Sequence, residues 1–171
     1  MERIVLNCKT PKRVDPRIRQ LLLFIGLDET TAKWLDFHRP KNFAPEQKEC
    51  HINACIQTKY EGGSTCTGWT IWQDRSVDFV EAQFHTVWRD ASKLLRDVTP
   101  RQHPEKKVLF LPDPLRSIRF IDCNDQPAIE IFDNVRMQDG ELSNGINALV
   151  HILATNLIYV HGLVERKRAE P

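Results

Sequence analysis

The sequence has 171 residues, with 24 Lys and Arg against 23 Asp and Glu, and a formal net charge of +1. A composition of 41% hydrophobic and 27% charged residues is typical of a folded globular chain and excludes a disordered one. Domains commonly have about 100 to 200 residues, so we expect one domain over residues 1–171. Basic runs occur only near the ends, at residues 9–13 and 166–168, which does not indicate a nucleic-acid partner.

The cysteines indicate a reducing compartment. They form an odd set without paired spacing, and the first residues lack the apolar segment of a secretory signal. We therefore expect free thiols, a cytoplasmic location and no cofactor. The apolar segment at residues 146–164 includes two Asn and two His, which favours a buried helix over a membrane span. The five cysteines are Cys8, Cys50, Cys55, Cys66 and Cys123.

The first third of the chain is predicted to be helical, with its helices inside residues 14–37. Pro16 can open a helix that Gly26 closes, because proline suits the first turn and glycine the left-handed residue after the end. Asp28 can cap a second, shorter helix that runs to Leu35.

A further helix is predicted over residues 45–60. Proline at position 45 fits its first turn, and the glycine pair at positions 62 and 63 stops it. The apolar stripe on this helix consists of Ile52, Cys55, Ile56 and Tyr60.

After the glycine pair, the sequence changes to runs typical of β-strands, followed by a closing helix. Helical periodicity of the apolar residues predicts that helix at residues 142–165. Helices, a run of strands and a last helix favour an α+β fold, with an antiparallel sheet packed against helices and a core at residues 45–135. The strands are predicted at residues 66–73, 77–89, 94–99, 108–111, 118–121 and 129–135.

Cys50 is the cysteine whose position favours reactivity. At about 100° per residue it shares a helix face with Asn53 and Gln57, away from the stripe that contains Cys55. It also lies early in the predicted helix, where the positive end of the helix dipole stabilises a thiolate. We therefore interpret Cys55 as the core cysteine and Cys50 as the one presented to a site. A buried, inert thiol is the alternative.

His85 and Asp97 are predicted to face each other across a hairpin. If the turn is centred on Ala91, the two residues stand directly opposite, with Cβ atoms about 5 Å apart. A carboxylate at that distance can hold an imidazole N–H. A surface histidine near an aspartate is the alternative reading.

A thiol at a helix start, a base on a strand and an acid on the next strand form an acyl-transfer arrangement. A free thiol is only a few per cent ionised at neutral pH, so an adjacent imidazole raises the reactive fraction. The backbone N–H of Cys50 is a candidate oxyanion donor, with the side chains of Asn53 and Gln47 as weaker ones. Trp69, next to a glycine, is a candidate residue at the substrate entrance.

The order and spacing of Cys50, His85 and Asp97 resemble the papain-like superfamily, and most of all its transglutaminase-like branch. The segments His-Thr-Val-Trp at 85–88 and Asp-Val-Thr-Pro at 97–100 are similar to the His-Ala-Trp and Asp-Pro-Thr of that branch. The resemblance covers residues 45–100. It implies a papain-like core and a cysteine hydrolase or acyltransferase, acting on a peptide, protein or small amide or ester. Cys50 would be the nucleophile, His85 the base and Asp97 the orienting acid.

The sequence departs from this pattern at two places, and two other functions stay open. Residue 51 is His where transglutaminases often have Trp, and one extra residue separates His85 from the following Trp. The first alternative is a zinc site, although Cys50 and Cys55 point about 140° apart on one helix. The second is a non-catalytic binding module. The zinc ligands would be Cys50, Cys55, Cys66 and either His51 or His85. The binding groove would be lined by Trp69, Trp72, Phe79, Phe84 and Trp88.

Overall fold

The computed structural model describes residues 6–101 and 105–165, and the basic run at 166–168 lies outside them. The fold is α+β, as predicted, with two antiparallel sheets and few helices. The helices are α1 (Pro16–Ile25), α2 (Cys50–Glu61) and α3 (Leu157–Val160). The strands are β1 (Lys33–Asp36), β2 (Ser64–Asp74), β3 (Phe79–Arg89), β4 (Leu95–Arg96), β5 (Lys107–Pro112), β6 (Arg119–Cys123), β7 (Gln126–Phe132), β8 (Val135–Gln138), β9 (Glu141–Leu142) and β10 (Leu149–Leu153).

The larger sheet has the order β1-β5-β2-β3-β8-β9, and β4 pairs with the far end of β3. The two long strands β2 and β3 form its centre, paired over their whole lengths. The smaller sheet has the order β10-β7-β6. On one side of β3, β8 pairs with residues 79–82 and β4 with residues 88–89. The intervening residues 83–87 are therefore left without a strand partner on that side within the described chain.

The main core lies between the helices and the two sheets. Helix α1 begins with an Asp15 side chain that accepts the N–H of Ile18 and ends at Gly26, whose φ of 86° is left-handed, so this predicted helix is confirmed. Helix α2 buries Ile52 and Ile56 in the same core. From α1 the core receives Ile18, Leu21, Leu22 and Ile25, and from the sheets Trp69, Ile71, Val80, Leu109, Leu111, Ile129 and Met137.

Several predicted elements differ from the structure. The second helix of the first third is a single 3-10 turn (Glu29–Thr31) followed by strand β1. Helix α2 begins at Cys50 rather than at residue 45, because Lys48 has a left-handed φ of 67° that interrupts a helical path. The predicted strand at residues 94–99 is only the two-residue β4.

The long helix predicted at residues 142–165 is wrong. This segment forms the end of β9, then β10 and the four-residue α3. Strand β10 pairs with β7 over five residues. A short apolar run is compatible with either a helix or a strand, and here pairing with β7 selects the strand. In the described part of the chain no helix is both long enough and apolar enough to traverse a lipid bilayer.

Candidate active site

Cys50 is the first residue of α2 and is 7% exposed. Its helix face, with Asn53 and Gln57, packs inward, so Cys50 is more buried than Cys55, the reverse of the prediction. The reason is that β3 and the segment after β4 offer polar partners to this face. Asn53 Nδ2 donates to Thr99 Oγ1 at 3.3 Å.

His85 and Asp97 come together as expected, but through another register. Nε2 of His85 lies 3.1 Å from Oδ1 of Asp97. Strand β4 pairs Trp88 with Arg96, so the hairpin is shifted by two residues from the predicted alignment. A shift of two keeps Asp97 on the face of His85, whereas a shift of one would have turned it away.

The Asp97 carboxylate is held by its own chain segment. Oδ1 also accepts the backbone N–H of Thr99 at 3.1 Å, and Oδ2 lies 3.4 Å from Nη2 of Arg101. The Arg101 guanidinium donates in turn to the carbonyl oxygens of Leu35, Glu105 and Lys106 at 2.9, 2.7 and 2.8 Å. Arg101 therefore connects the carboxylate to β1 and to the loop before β5.

Two histidines, His51 and His85, lie close enough to the Cys50 thiol to lower its pKa. Nδ1 of His51 lies 2.7 Å from the hydroxyl oxygen of Thr86. Thr86 and His85 are consecutive in β3, so their side chains point to opposite faces of the sheet. His51 therefore approaches the face of β3 that carries Thr86, whereas His85 projects from the opposite face.

The pKa values in this cluster favour an ion pair. Burial acts to raise the pKa of Cys50, but the charges and hydrogen bonds of His51 and His85 bring it well below the usual thiol value. Burial acts to lower the pKa of His85, but Cys50 and Asp97 raise it to about 10. Burial likewise opposes ionisation of Asp97, whose pKa is nevertheless lowered by His85, Thr99 and Arg101. Between these pKa values, the thiolate and the imidazolium are both charged.

A cleft of about 520 Å³ opens over Cys50, His51, His85 and Asp97. Cys8, Lys48, Asp133 and Asn134 contribute polar or charged groups to its lining. The apolar part of the lining comes from both sheets: Trp72, Phe84, Val108, Ile131, Phe132, Val150 and Ile152.

The three candidates for substrate or oxyanion contact do not lie in the cleft lining. Asn53 is fully buried, and its amide bonds to the backbone of Glu46 and to Thr99. Trp69 is fully buried and donates to Asp113 at 2.9 Å. Gln47 is exposed beside the cleft, with Nε2 3.5 Å from the Arg101 carbonyl oxygen. Of the aromatic residues predicted for a groove, Trp72 and Phe84 line the cleft.

The predicted zinc ligands do not come together as a set, because Cys55 and Cys66 lie outside the cleft that holds Cys50, His51 and His85. Within residues 6–101 and 105–165, no three or more His, Cys, Asp or Glu side chains are grouped so as to hold a metal ion. Cys66 lies instead in a hydrophobic cluster, 3.3 Å from Nη2 of Arg89. Burial raises the pKa of Cys55 to about 11, with the Cys50 charge adding to the effect.

The sequence pattern predicts no catalytic role for His51 or Arg101. It presents His51 only as a candidate zinc ligand and as a departure from the transglutaminase pattern. Its contact with Thr86 depends on α2 packing over β3, which helical periodicity does not specify. Arg101 lies four residues after Asp97, but the chain there is not helical, so that spacing gave no signal.

Comparisons of this chain with protein-family models, with curated proteins and with solved structures found no match.

Proposed function

We propose that the protein is a cysteine-dependent hydrolase or acyltransferase that acts on an amide or ester through Cys50, His85 and Asp97. The observation that carries the proposal is the position of His85. Nε2 of its ring lies 3.1 Å from Oδ1 of Asp97, and Cys50 and Asp97 together raise the pKa of the imidazole against the effect of burial. Nucleophile, base and orienting acid in that order are what acyl transfer requires.

In the proposed reaction, the Cys50 thiolate attacks the substrate carbonyl carbon and forms a tetrahedral intermediate. The His85 imidazolium gives its proton to the leaving amine or alcohol as the carbonyl bond to that group breaks, leaving a thioester on Cys50. Neutral His85 then takes a proton from water or from an acceptor amine, which attacks the thioester. The released Cys50 thiolate and the His85 imidazolium restore the starting state.

The N-terminus of α2 suits the negative charge of this reaction. Backbone N–H groups in the first turn of a helix have no partner within the helix. Cys50 is the first residue of α2, so its own N–H lies beside the reacting sulfur, and the helix dipole is positive at that end. We infer that this N–H contributes to the oxyanion site.

A papain-like core, most like that of transglutaminases, is part of the proposal. The nucleophile on a helix, the base on a central antiparallel strand and the acid on the segment after it support this core. Water and amine acceptors lead to different products, and both fit the cleft chemistry described here.

The test is to trap the acyl-enzyme. The purified chain is incubated with p-nitrophenyl acetate at neutral pH and analysed by intact mass and by peptide mass. Wild type is expected to gain one acetyl group, located on Cys50 and removable by hydroxylamine. Cys50→Ala should lose this adduct, and His85→Ala should form it more slowly by about 100-fold, the usual contribution of a residue in general acid–base catalysis.

Cys55→Ala is the matched control, because Cys55 lies on the same helix but has a raised pKa. This variant should acylate Cys50 at the wild-type rate. Acetylation spread over several cysteines, or unchanged in His85→Ala, would refute the proposal. A cleft that binds peptides without any acyl-enzyme would favour the non-catalytic binding module instead.

A further inference from the structure

The thiol of Cys50 has a second imidazole neighbour that the proposed triad does not use. His51 is 6% exposed and lines the same cleft as Cys50 and His85. Its ring is held from two directions, by the Thr86 hydroxyl at 2.7 Å and by the Phe84 ring, whose centroid lies 5.8 Å away. These two contacts fix the orientation of the His51 ring within the cleft.

The contact with Thr86 leaves a proton on Nε2 of His51 in two of its arrangements. Thr86 is fully buried, and its hydroxyl can donate to Nδ1 of a neutral ring or accept from the Nδ1–H of a protonated one. In the first arrangement the single ring proton is on Nε2, and in the second both ring nitrogens carry a proton. In each of them an Nε2–H is available to the sulfur.

We propose that His51, held by Thr86, donates an Nε2–H hydrogen bond to the Cys50 thiolate and acts as a second histidine of the site, separate from the proton-transferring His85. The inference builds on the proposed function. In the resting site His51 stabilises the thiolate, and His85 is left to exchange protons with the leaving group. Stabilising the thiolate and transferring the proton are usually tasks of one imidazole. Here they are divided between His51 and His85, which lie on opposite faces of β3.

The charged groups around the thiol are consistent with this division. Glu49 precedes Cys50 on the chain, and its own pKa is raised by burial and by Glu46 and Cys50, so it adds no stabilisation to a thiolate. Asp97 and Asp133 line the cleft with the same sign of charge as the thiolate, and Lys48 and Arg101 line it with the opposite sign. Arg101 is paired with Asp97, so a second hydrogen-bond donor at the sulfur adds stabilisation that these charges do not supply by contact.

The experiment measures how fast iodoacetamide alkylates Cys50 between pH 4 and 9, with the labelled peptide quantified by mass. His51→Ala is expected to move the midpoint of the pH–rate profile upward by about one unit, which lowers the rate about tenfold at pH values below the wild-type midpoint. Thr86→Val, which keeps the shape but removes the hydroxyl, should shift the profile in the same direction by less. His51→Gln retains an amide donor and should lie closer to wild type than His51→Ala.

Two further comparisons keep the result interpretable. His85→Ala should be alkylated faster at pH 6 than the double variant His51→Ala/His85→Ala, because His51 still holds the thiolate. His151 lies on β10 and is paired with Glu130 on β7, so His151→Ala should leave the pH profile of alkylation unchanged. Urea unfolding of each variant shows whether a slower alkylation is caused by misfolding. If His51→Ala is unstable, the pH profiles of Thr86→Val and His51→Gln test the proposed hydrogen bond instead.

A pH profile of His51→Ala that coincides with wild type would overturn the inference. Alkylation of Cys50 needs no substrate, so it tests the contact of His51 with the thiolate independently of the acyl-transfer reaction. A His51-dependent profile without any acyl-enzyme would remove the proposed function and leave the thiolate contact. An acyl-enzyme with a profile independent of His51 would do the opposite.

Discussion

Nε2 of His85 lies 3.1 Å from Oδ1 of Asp97, and the same oxygen accepts the N–H of Thr99. Arg101 approaches the second oxygen of this carboxylate. The carboxylate is therefore fixed by the segment that follows β4, and it fixes one ring nitrogen of His85. The other ring nitrogen takes no part in this contact, so the direction in which the imidazole presents its proton depends on Asp97.

Replacing Asp97 should slow acyl transfer without removing the thiol. Asp97→Asn and Asp97→Ala are expected to reduce the rate of Cys50 acetylation at least about tenfold, because the imidazole loses its orienting partner and the stabilisation of its charged form. The measurement is the initial rate of p-nitrophenol release by each purified variant.

Asp113→Asn is the control for this experiment. Asp113 is 1% exposed, against 2% for Asp97, and it bonds to Trp69 and Arg116 rather than to the cleft. Its loss should reduce stability but leave the acetylation rate of the folded fraction unchanged. Equal rates in Asp97→Ala and wild type would show that Asp97 has no part in the reaction.

The pH dependence of stability should also report on Asp97. Its pKa is lowered in the folded chain, so its stabilising contribution is complete above the unfolded value and is lost as the pH falls through the folded value. We expect Asp97→Asn to cost about 3 kcal/mol in unfolding free energy at pH 7 and at pH 5, as for other broken buried ion pairs. At pH 3 or lower the difference from wild type should shrink.

Urea unfolding at the three pH values measures this difference. A gap between Asp97→Asn and wild type that widens on acidification would contradict the lowered pKa. Asp36→Asn is the matched control: its carboxylate is 69% exposed and lies 3.5 Å from Lys107, so its removal should change little at any pH.

The five cysteines should differ sharply in reactivity. Burial acts to raise the pKa of Cys50, but its two histidines lower it well below the usual thiol value. In Cys8 and Cys55, by contrast, burial is the main cause that raises the pKa to about 11. With limiting iodoacetamide at pH 6.5, we expect the label on Cys50 to exceed that on Cys55 by at least about tenfold. Peptide mass analysis gives the ratio of the label on Cys50 to the label on Cys55. More label on Cys55 than on Cys50 would contradict the lowered pKa of Cys50.

How far the sequence predicts the site can be judged from the hairpin. Alternation in β3 correctly places His85 and Phe84 on opposite faces, because successive side chains of a regular strand point to opposite sides of the sheet. The register depends on the turn, and the residues there gave no strong turn signal. The real hairpin is shifted by two residues, as Trp88 opposite Arg96 shows, and only the even size of that shift kept Asp97 within reach.

Other features depend on long-range packing that a sequence pattern does not contain. The start of α2 is set by the left-handed Lys48 and by the Asn53 amide, which bonds back to Glu46. The segment after residue 142 has apolar residues that suit a helix, yet strand β7 provides a pairing edge for Leu149–Leu153. Local propensity competes with such tertiary pairing and can lose to it.

Gly68 lies beside His85 in the sheet and should be intolerant of any side chain. It pairs with His85 on β3 and with Pro112 on β5. A Cβ at this position would meet the Leu111 carbonyl oxygen at 2.2 Å and the Phe110 ring at 2.6 Å, so β2 and β5 would have to separate. We expect Gly68→Ala to lower the unfolding free energy by about 3 kcal/mol, the upper end for an overpacked site. Urea unfolding should show this loss, while Gly145→Ala, where nothing lies within 4 Å of the added Cβ, should change stability by no more than about 0.5 kcal/mol. Equal stability of the two variants would mean that β2 and β5 are not in the close contact that positions the strand carrying His85.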